Sequence, residues 1–278
     1  MKTAFAAMLA LASPVVAASL EITVEPVFNG EPLRLDSLLR YETAAGETLS
    51  FTRLSYLLGG VALERNDGQW VEIPDSTAWM DAATKRDSIL LENVPDGSYR
   101  ALRFHIGLDA DANAADVSKI PANHPLNPNL NGLHWSWQGG YIFMAVEGRF
   151  RGGTSGLMGF AHHLAREPNR TRINLNVSLD LKQDAGVMIR FDLANLFNAP
   201  RPLSFAKDGA TTHSREGDPV SAALVSNLRG AFSVSKVVSN HMAVRALAPV
   251  TPIDLPDRYT PYRFTMSRAF PVPDLPRD

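Results

Sequence analysis

Histidine and tryptophan are the side chains whose types and spacing in this sequence invite chemistry. There are seven His, four Trp and no Cys in 278 residues. His134, Trp135 and Trp137 crowd into "GLHWSWQGGYIFMAVEG", residues 132–148, and His162 and His163 stand side by side in "GFAHHL". Without a thiol there is no disulfide, no thiolate metal site, no cysteine nucleophile and no covalent haem attachment. The chain also lacks a G-x-S-x-G elbow, a phosphate-cradling G-x-x-x-x-G-K-[ST] loop and an H-E-x-x-H motif. A formal net charge of −2 offers no basic footprint for nucleic acid or anionic lipid. A metal site here must therefore draw on imidazole, carboxylate, backbone carbonyl or thioether, with Met144, Met158 and Met188 as the softer donors.

The elements that carry these residues limit how they can combine. On a strand, successive side chains face opposite ways, so His162 shares a face with Met158, Phe160 and Leu164 while His163 shares one with Ala161. At most one of the two is then a ligand. His105 lies on the polar side of "RALRFHIGL", opposite Leu102, Phe104 and Ile106. His124 falls in a long loop, His213 in the polar stretch "DGATTHSREGD", and His241 late in the chain; each stands alone. If residues 134–141 form a strand, Trp135 and Trp137 share one face, His134 and Ser136 share the other, and Gly139–Gly140 make a bulge. Pattern alone favours packing there, because Trp buries a large area.

Period-two alternation runs through most of the chain. In "TRINLNVSLDLK", Ile173, Leu175, Val177, Leu179 and Leu181 point one way and the polar residues between them the other. Further strands are expected at 20–28, 48–63, 70–73, 88–92, 141–150, 157–164 and 187–193. The turns "NDG", "PDG" and "RGG" separate several of them. Asp218 as N-cap and Pro219 at the first helical position predict one short C-terminal helix, and 192–198 a further turn or two. The expected fold is an all-β, antiparallel β-sandwich. Residues 1–18 read as a Sec-type signal peptide cleaved after Ala17 or Ala18, which predicts an exported mature chain with no membrane span. Residues 19–245 form the domain. Residues 246–278, with prolines from Pro249 to Pro276, read as an extended tail. The loop 109–132, rich in Asn, Asp, Ala and Pro, leads straight into the Trp motif and reads as a long structureless loop, of the kind that is functional or mobile.

The segment resembles the signature W-x-W-x-x-G-Y-x-F-x-x-x-E-G of the MbnP-like proteins, periplasmic copper-binding proteins of bacteria. The matching residues are Trp135, Trp137, Gly140, Tyr141, Phe143, Glu147 and Gly148. Weaker similarity covers residues 20–234: "LSFTRLSYLLGGVAL", "VPDGSYRALRFHIGLD", "HPLNPNLNGLHWSW", "GFAHHLARE" with His163 at the family histidine, and "SNLRGAFSV" as a helix near the C-terminus. The resemblance implies copper bound by histidine together with kynurenine, made by oxidising a Trp. The implied oxidant is a MauG-like dihaem protein of the cytochrome c peroxidase family. On that basis His163, His134 and His162 are the candidate ligands, and Trp135 or Trp137, with Trp135 the first choice, is the modified residue. His134 replaces a Met and Ala165 a Gly found in many members. A substrate and carrier, not an enzyme, is implied. The competing reading is a periplasmic recognition module that binds a glycan or peptide on an aromatic platform of Trp135, Trp137 and Tyr141.

Overall fold

The computed structural model describes residues 17–136, 139–153 and 156–239. Trp137, His241, residues 1–16 of the expected signal peptide and the whole proline-rich tail lie outside the described residues. In chain order the strands are β1 Ala17–Phe28, β2 Glu31–Pro32, β3 Tyr41–Glu42, β4 Thr48–Arg65, β5 Trp70–Glu72, β6 Ala78–Asp81, β7 Ser88–Pro95, β8 Gly97–Ile106, β9 Ile142–Arg151, β10 Met158–Ala165, β11 Thr171–Leu181, β12 Ala185–Asp192, β13 Thr211–Thr212 and β14 Phe232–Ser239. The short helices are α1 Ala110–Asn113, α2 Pro128–Asn131, α3 Leu193–Asn198 and α4 Pro219–Leu228.

Alternating burial divides the strands into two sheets. One follows the order β14-β12-β1-β2, with β7 also on β1. The other runs β11-β8-β4-β9-β10-β13, with β3, β5 and β6 on β4. β11 shows the alternation in pure form, every second residue buried from Thr171 to Leu181. Leu20, Ile22, Val187, Ile189 and Phe191 from the first sheet meet Leu54, Tyr56, Leu102, Phe104 and Ile173 from the second in one buried cluster. Phe232 bridges the layers, stacked on Phe191 at 4.3 Å and edge-on to Phe104 at 5.4 Å. The class is thus the expected all-β sandwich.

The pairing is not wholly antiparallel. β1 pairs with β12, and β10 with β13, in parallel. Such pairs need no tight turn, and the chain from β1 to β12 passes through most of the second sheet before returning. The predicted C-terminal helix is α4, where Asp218 accepts from the Val220 N–H and Pro219 opens the first turn. "SNLRGAFSV" spans the end of that helix and the start of β14, rather than lying within a helix.

A second, smaller core forms on the outer face of the larger sheet. It gathers Leu57, Trp79, Leu108, Leu126, Leu133, Tyr141, Phe143 and Ala145, with Trp135 packed against it. Leu108 leaves the face of Leu102, Phe104 and Ile106 because Gly107, at φ +107°, turns the chain against the Phe143 ring. The loop 109–132 is not structureless. Asp109, Asp116 and Asn127 each cap a helical turn, and Asn127 and Asn131 donate to the carbonyls of Ile120, Pro121 and Pro125. Asn side chains replace the sheet hydrogen bonds that such a segment lacks.

Candidate metal centre

The Trp motif begins as a closed turn, not a strand. The Trp135 N–H donates to the Gly140 carbonyl at 3.0 Å, and the Gly139 N–H returns to the Trp135 carbonyl at 2.9 Å. His134 bridges to Tyr141, and Ile142 donates to Leu133 at 2.7 Å. The face alternation expected for Trp135 and Trp137 therefore does not apply. Gly139 and Gly140 hold φ of +64° and +107°, which suits glycine. Tyr141 anchors the turn from below. Its N–H donates to Asn113 Oδ1 at 2.8 Å and its hydroxyl to the Leu126 carbonyl at 2.5 Å. It is 1% exposed, so it is not part of a surface platform.

Beyond the turn, β9 carries Glu147 to the outer face. Ala161 on β10 sits opposite Glu147, and His163 opposite Ala145. Glu147 and His163 are diagonal neighbours on one face, a spacing that long side chains span. His163 Nε2 lies 2.9 Å from Glu147 Oε1. Arg53, opposite Glu147 on β4, donates to the same oxygen at 2.9 Å and to the Gly132 carbonyl at 3.3 Å. Burial pushes the Glu147 carboxyl up, but the His163 hydrogen bond and Arg53 outweigh it and leave it below the usual range.

β13 brings in the third group. It runs parallel to β10 with Thr212 opposite His162, so the next residue, His213, comes beside His163. The Ser214 hydroxyl straps it there, donating to the His163 carbonyl and accepting from the Ala165 N–H, both at 2.9 Å. The His163 and His213 rings are 5.4 Å apart and nearly perpendicular. The Trp135 ring lies 6.0 Å from His163 and 5.8 Å from His213. Burial, followed by His163 and Arg215, lowers the His213 pKa and keeps its ring neutral. His163 Nδ1 is buried without a hydrogen-bond partner. One nitrogen fixed by a carboxylate and the other left open is the arrangement of a histidine ready to ligate.

The remaining candidates go elsewhere. His162, 2% exposed, points into the inter-sheet core among Phe160, Phe197 and Phe205. Burial pushes its pKa down to about 4. It cannot share an ion with His163 across the strand. His134 lies edge-on to Tyr141 at 5.0 Å, and its Nε2 accepts from the Gly140 N–H at 3.4 Å, so it helps close the turn. Met144 is buried in the main core, Met158 is exposed at the start of β10, and Met188 is in the other sheet. None of the three joins the cluster. His124 Nδ1 accepts from the Leu126 N–H. His213 is the member that sequence reasoning missed, because only the distant β10–β13 pairing reveals its position.

Among the described residues, no group of three or more His, Asp or Glu is arranged to hold a metal ion. The cluster thus supplies two imidazoles, with an indole against both. No helix among the described residues is long and apolar enough to cross a membrane. No curated protein matches the chain. Among solved structures, MbnP from Methylosinus trichosporium is similar at 15% identity and a TM-score of 0.54, covering 81% of this chain and 99% of that one; the likeness is one of fold. The MbnP family model matches residues 17–214, which include the Trp turn, β9, β10 and His213. On that match the chain belongs to the MbnP family.

Proposed function

We propose that this chain is a periplasmic copper-binding protein for copper acquisition or homeostasis, with His163 and His213 as its imidazole ligands and Trp135 as the residue oxidised to kynurenine. One observation carries the reading: the two rings and Trp135 lie together while His163 Nδ1 is buried and unpartnered. Two imidazoles alone leave a divalent copper site short of donors. An indole is a poor ligand, whereas kynurenine offers an aryl amine and a ketone at the same position.

The conversion balances chemically. Cleavage of the indole C2–C3 bond adds two oxygen atoms drawn from dioxygen or peroxide, and hydrolysis releases one carbon as formate. The net change is one carbon lost and one oxygen gained. A MauG-like dihaem partner would catalyse the step with one dioxygen or two peroxides as the oxidant, so the chain is a substrate and carrier rather than a catalyst. Copper, held by His163 and His213, would be the redox-active cargo to be stored or delivered. The chain's own part is to keep His163 oriented through Glu147 and Arg53, and to keep His213 neutral by burial.

Mass spectrometry of the tryptic peptide 120–149, from protein co-produced with a MauG-like dihaem protein, tests the modification. A gain of about 4 Da, placed on Trp135 by fragmentation, is expected for such a covalent change. An unmodified peptide overturns the kynurenine reading, and a gain on Trp137 moves the site. Copper titration of His163→Ala and His213→Ala tests the ligands; unchanged affinity in both would favour the recognition-module alternative.

A further inference from the structure

A second polar cluster occupies the other end of the larger sheet, on β11 and β8. Arg172 stands opposite His105 in register, and Asn174 opposite Arg103. Arg172 and Asn174 are exposed while Ile173 and Leu175 between and beyond them are buried, so both project from the outer face. Arg170 lies just before β11, and Arg229 at the C-terminal cap of α4. These four residues, with His105 and Glu167, line a concave pocket of about 440 Å³.

The charge in this pocket is uncompensated. Three guanidiniums stand against one carboxylate, leaving two positive charges (3 − 1) in a chain whose net charge is −2. No ion pair joins Arg170, Arg172 or Arg229 to another described residue. The neighbouring Arg103 is different: it is paired with Glu72 and stacked over Trp70 at 4.5 Å. Two nitrogens of the pocket residues, Arg170 Nε and His105 Nδ1, are buried without a hydrogen-bond partner. Buried polar groups are normally satisfied, and those that are not often wait for a ligand.

Gly60 makes the cradle. Its φ is +61°, and a Cβ there would sit 3.1 Å from His105 Nδ1 and 3.2 Å from Arg170 Nη2. The glycine lets these two groups settle against the sheet. We propose that this pocket binds a small, multiply charged oxyanion of phosphate or polycarboxylate chemistry, held by Arg170, Arg172 and Arg229 with Asn174 and His105 as neutral partners. Guanidinium forks match both oxyanion geometries. The His105 ring, with its pKa pushed down to about 4 by burial and then by Arg170, is neutral at pH 7. It adds a hydrogen bond without adding charge. The site is separate from the His163–His213 cluster and does not depend on copper.

Calorimetric titration of the full chain at low ionic strength, with inorganic phosphate and separately with citrate, tests the proposal. Saturable binding of one or both is expected, and their relative affinity identifies the chemistry. Arg170→Gln and Arg172→Gln should each weaken it about tenfold or more. Arg190→Gln, on an exposed position of the other sheet, should leave it unchanged. Arg172 is exposed, so its variant carries the test even if Arg170→Gln lowers the melting temperature. His105 ring resonances should shift as the anion is added. The proposal is overturned if neither anion saturates below about 10 mM, or if Arg190→Gln weakens binding as much as the pocket variants, as diffuse screening would do.

Discussion

His163 Nε2 and Glu147 Oε1 stand 2.9 Å apart on adjacent strands, and this contact determines which histidine nitrogen remains open. With Nε2 occupied, ligation in the proposed copper site would fall to Nδ1. Glu147 is held from its other side by Arg53, so the imidazole is oriented before any metal arrives. Glu147→Gln keeps the shape but removes the charge. Copper affinity is expected to fall about 10- to 100-fold, the usual cost of losing a carboxylate behind a ligating histidine. His163→Ala should abolish tight binding. Competition titration against a chelator of known affinity reads both; equal affinity for wild type and Glu147→Gln would remove the orienting role.

His162 makes the opposite prediction. Its ring is packed among Phe160, Phe197 and Phe205 with Nδ1 unsatisfied. Replacing a buried, unpaired polar group by an apolar one of similar size is neutral or stabilising. His162→Leu should therefore keep copper affinity within about twofold and leave the unfolding free energy from urea titration unchanged or raised by roughly 1 kcal/mol. A large loss of copper affinity in this variant, with the fold intact, would return His162 to the ligand set.

Gly148 closes the "E-G" of the Trp motif for a steric reason. A Cβ at this position would fall onto the Ser50 carbonyl and within 2.8 Å of the Phe160 ring. Since the first obstacle is backbone, β4 and β9 would have to separate. Gly148→Ala is expected to destabilise by about 3 kcal/mol, the upper end for overpacking. For a domain of this size that lowers the melting temperature by roughly 6–12 °C. A change under about 2 °C would mean the strands yield more easily than this geometry allows.

How legible all this was depended on whether the information was local. β11 could be read directly, because one face is buried and the alternation of Ile173 through Leu181 is unbroken. The opposite fates of His162 and His163 followed from the same period, and the helix at Asp218 from its cap and the proline after it. The turn at Trp135–Gly140 was hidden, because strand and tight turn share a composition of aromatics and glycine, and only the Trp135–Gly140 hydrogen bond decides between them. His213 was hidden for a stronger reason. Nothing in "DGATTHSREGD" marks it; its partner is chosen by a two-residue parallel strand against β10. The parallel β1–β12 pair was equally non-local. The His105 pocket needed three separate segments to be brought together.

His105 gives a pH dependence that is independent of metal. Its ring titrates at about 4 in the folded chain against an ordinary 6.5, because burial and then Arg170, Arg172 and Arg103 oppose its charge, with the nearby Gly60 backbone acting in the other direction. The unfolded chain therefore takes up a proton at a higher pH than the folded one. The stability this represents is fully present above pH 6.5 and is lost as pH falls from 6.5 towards 4. The full shift corresponds to about 3 kcal/mol; the ring is only half-buried, so solvent screening reduces the expected loss to roughly 1 kcal/mol. His105→Gln removes the titration. Urea unfolding of wild type and variant at pH 7.5 and 4.5 should show the wild type losing about 1 kcal/mol more than the variant over that interval. Phosphate bound in the pocket should raise the ring's pKa and shrink the difference. Parallel pH profiles for the two proteins would show that His105 ionises alike in the folded and unfolded chain.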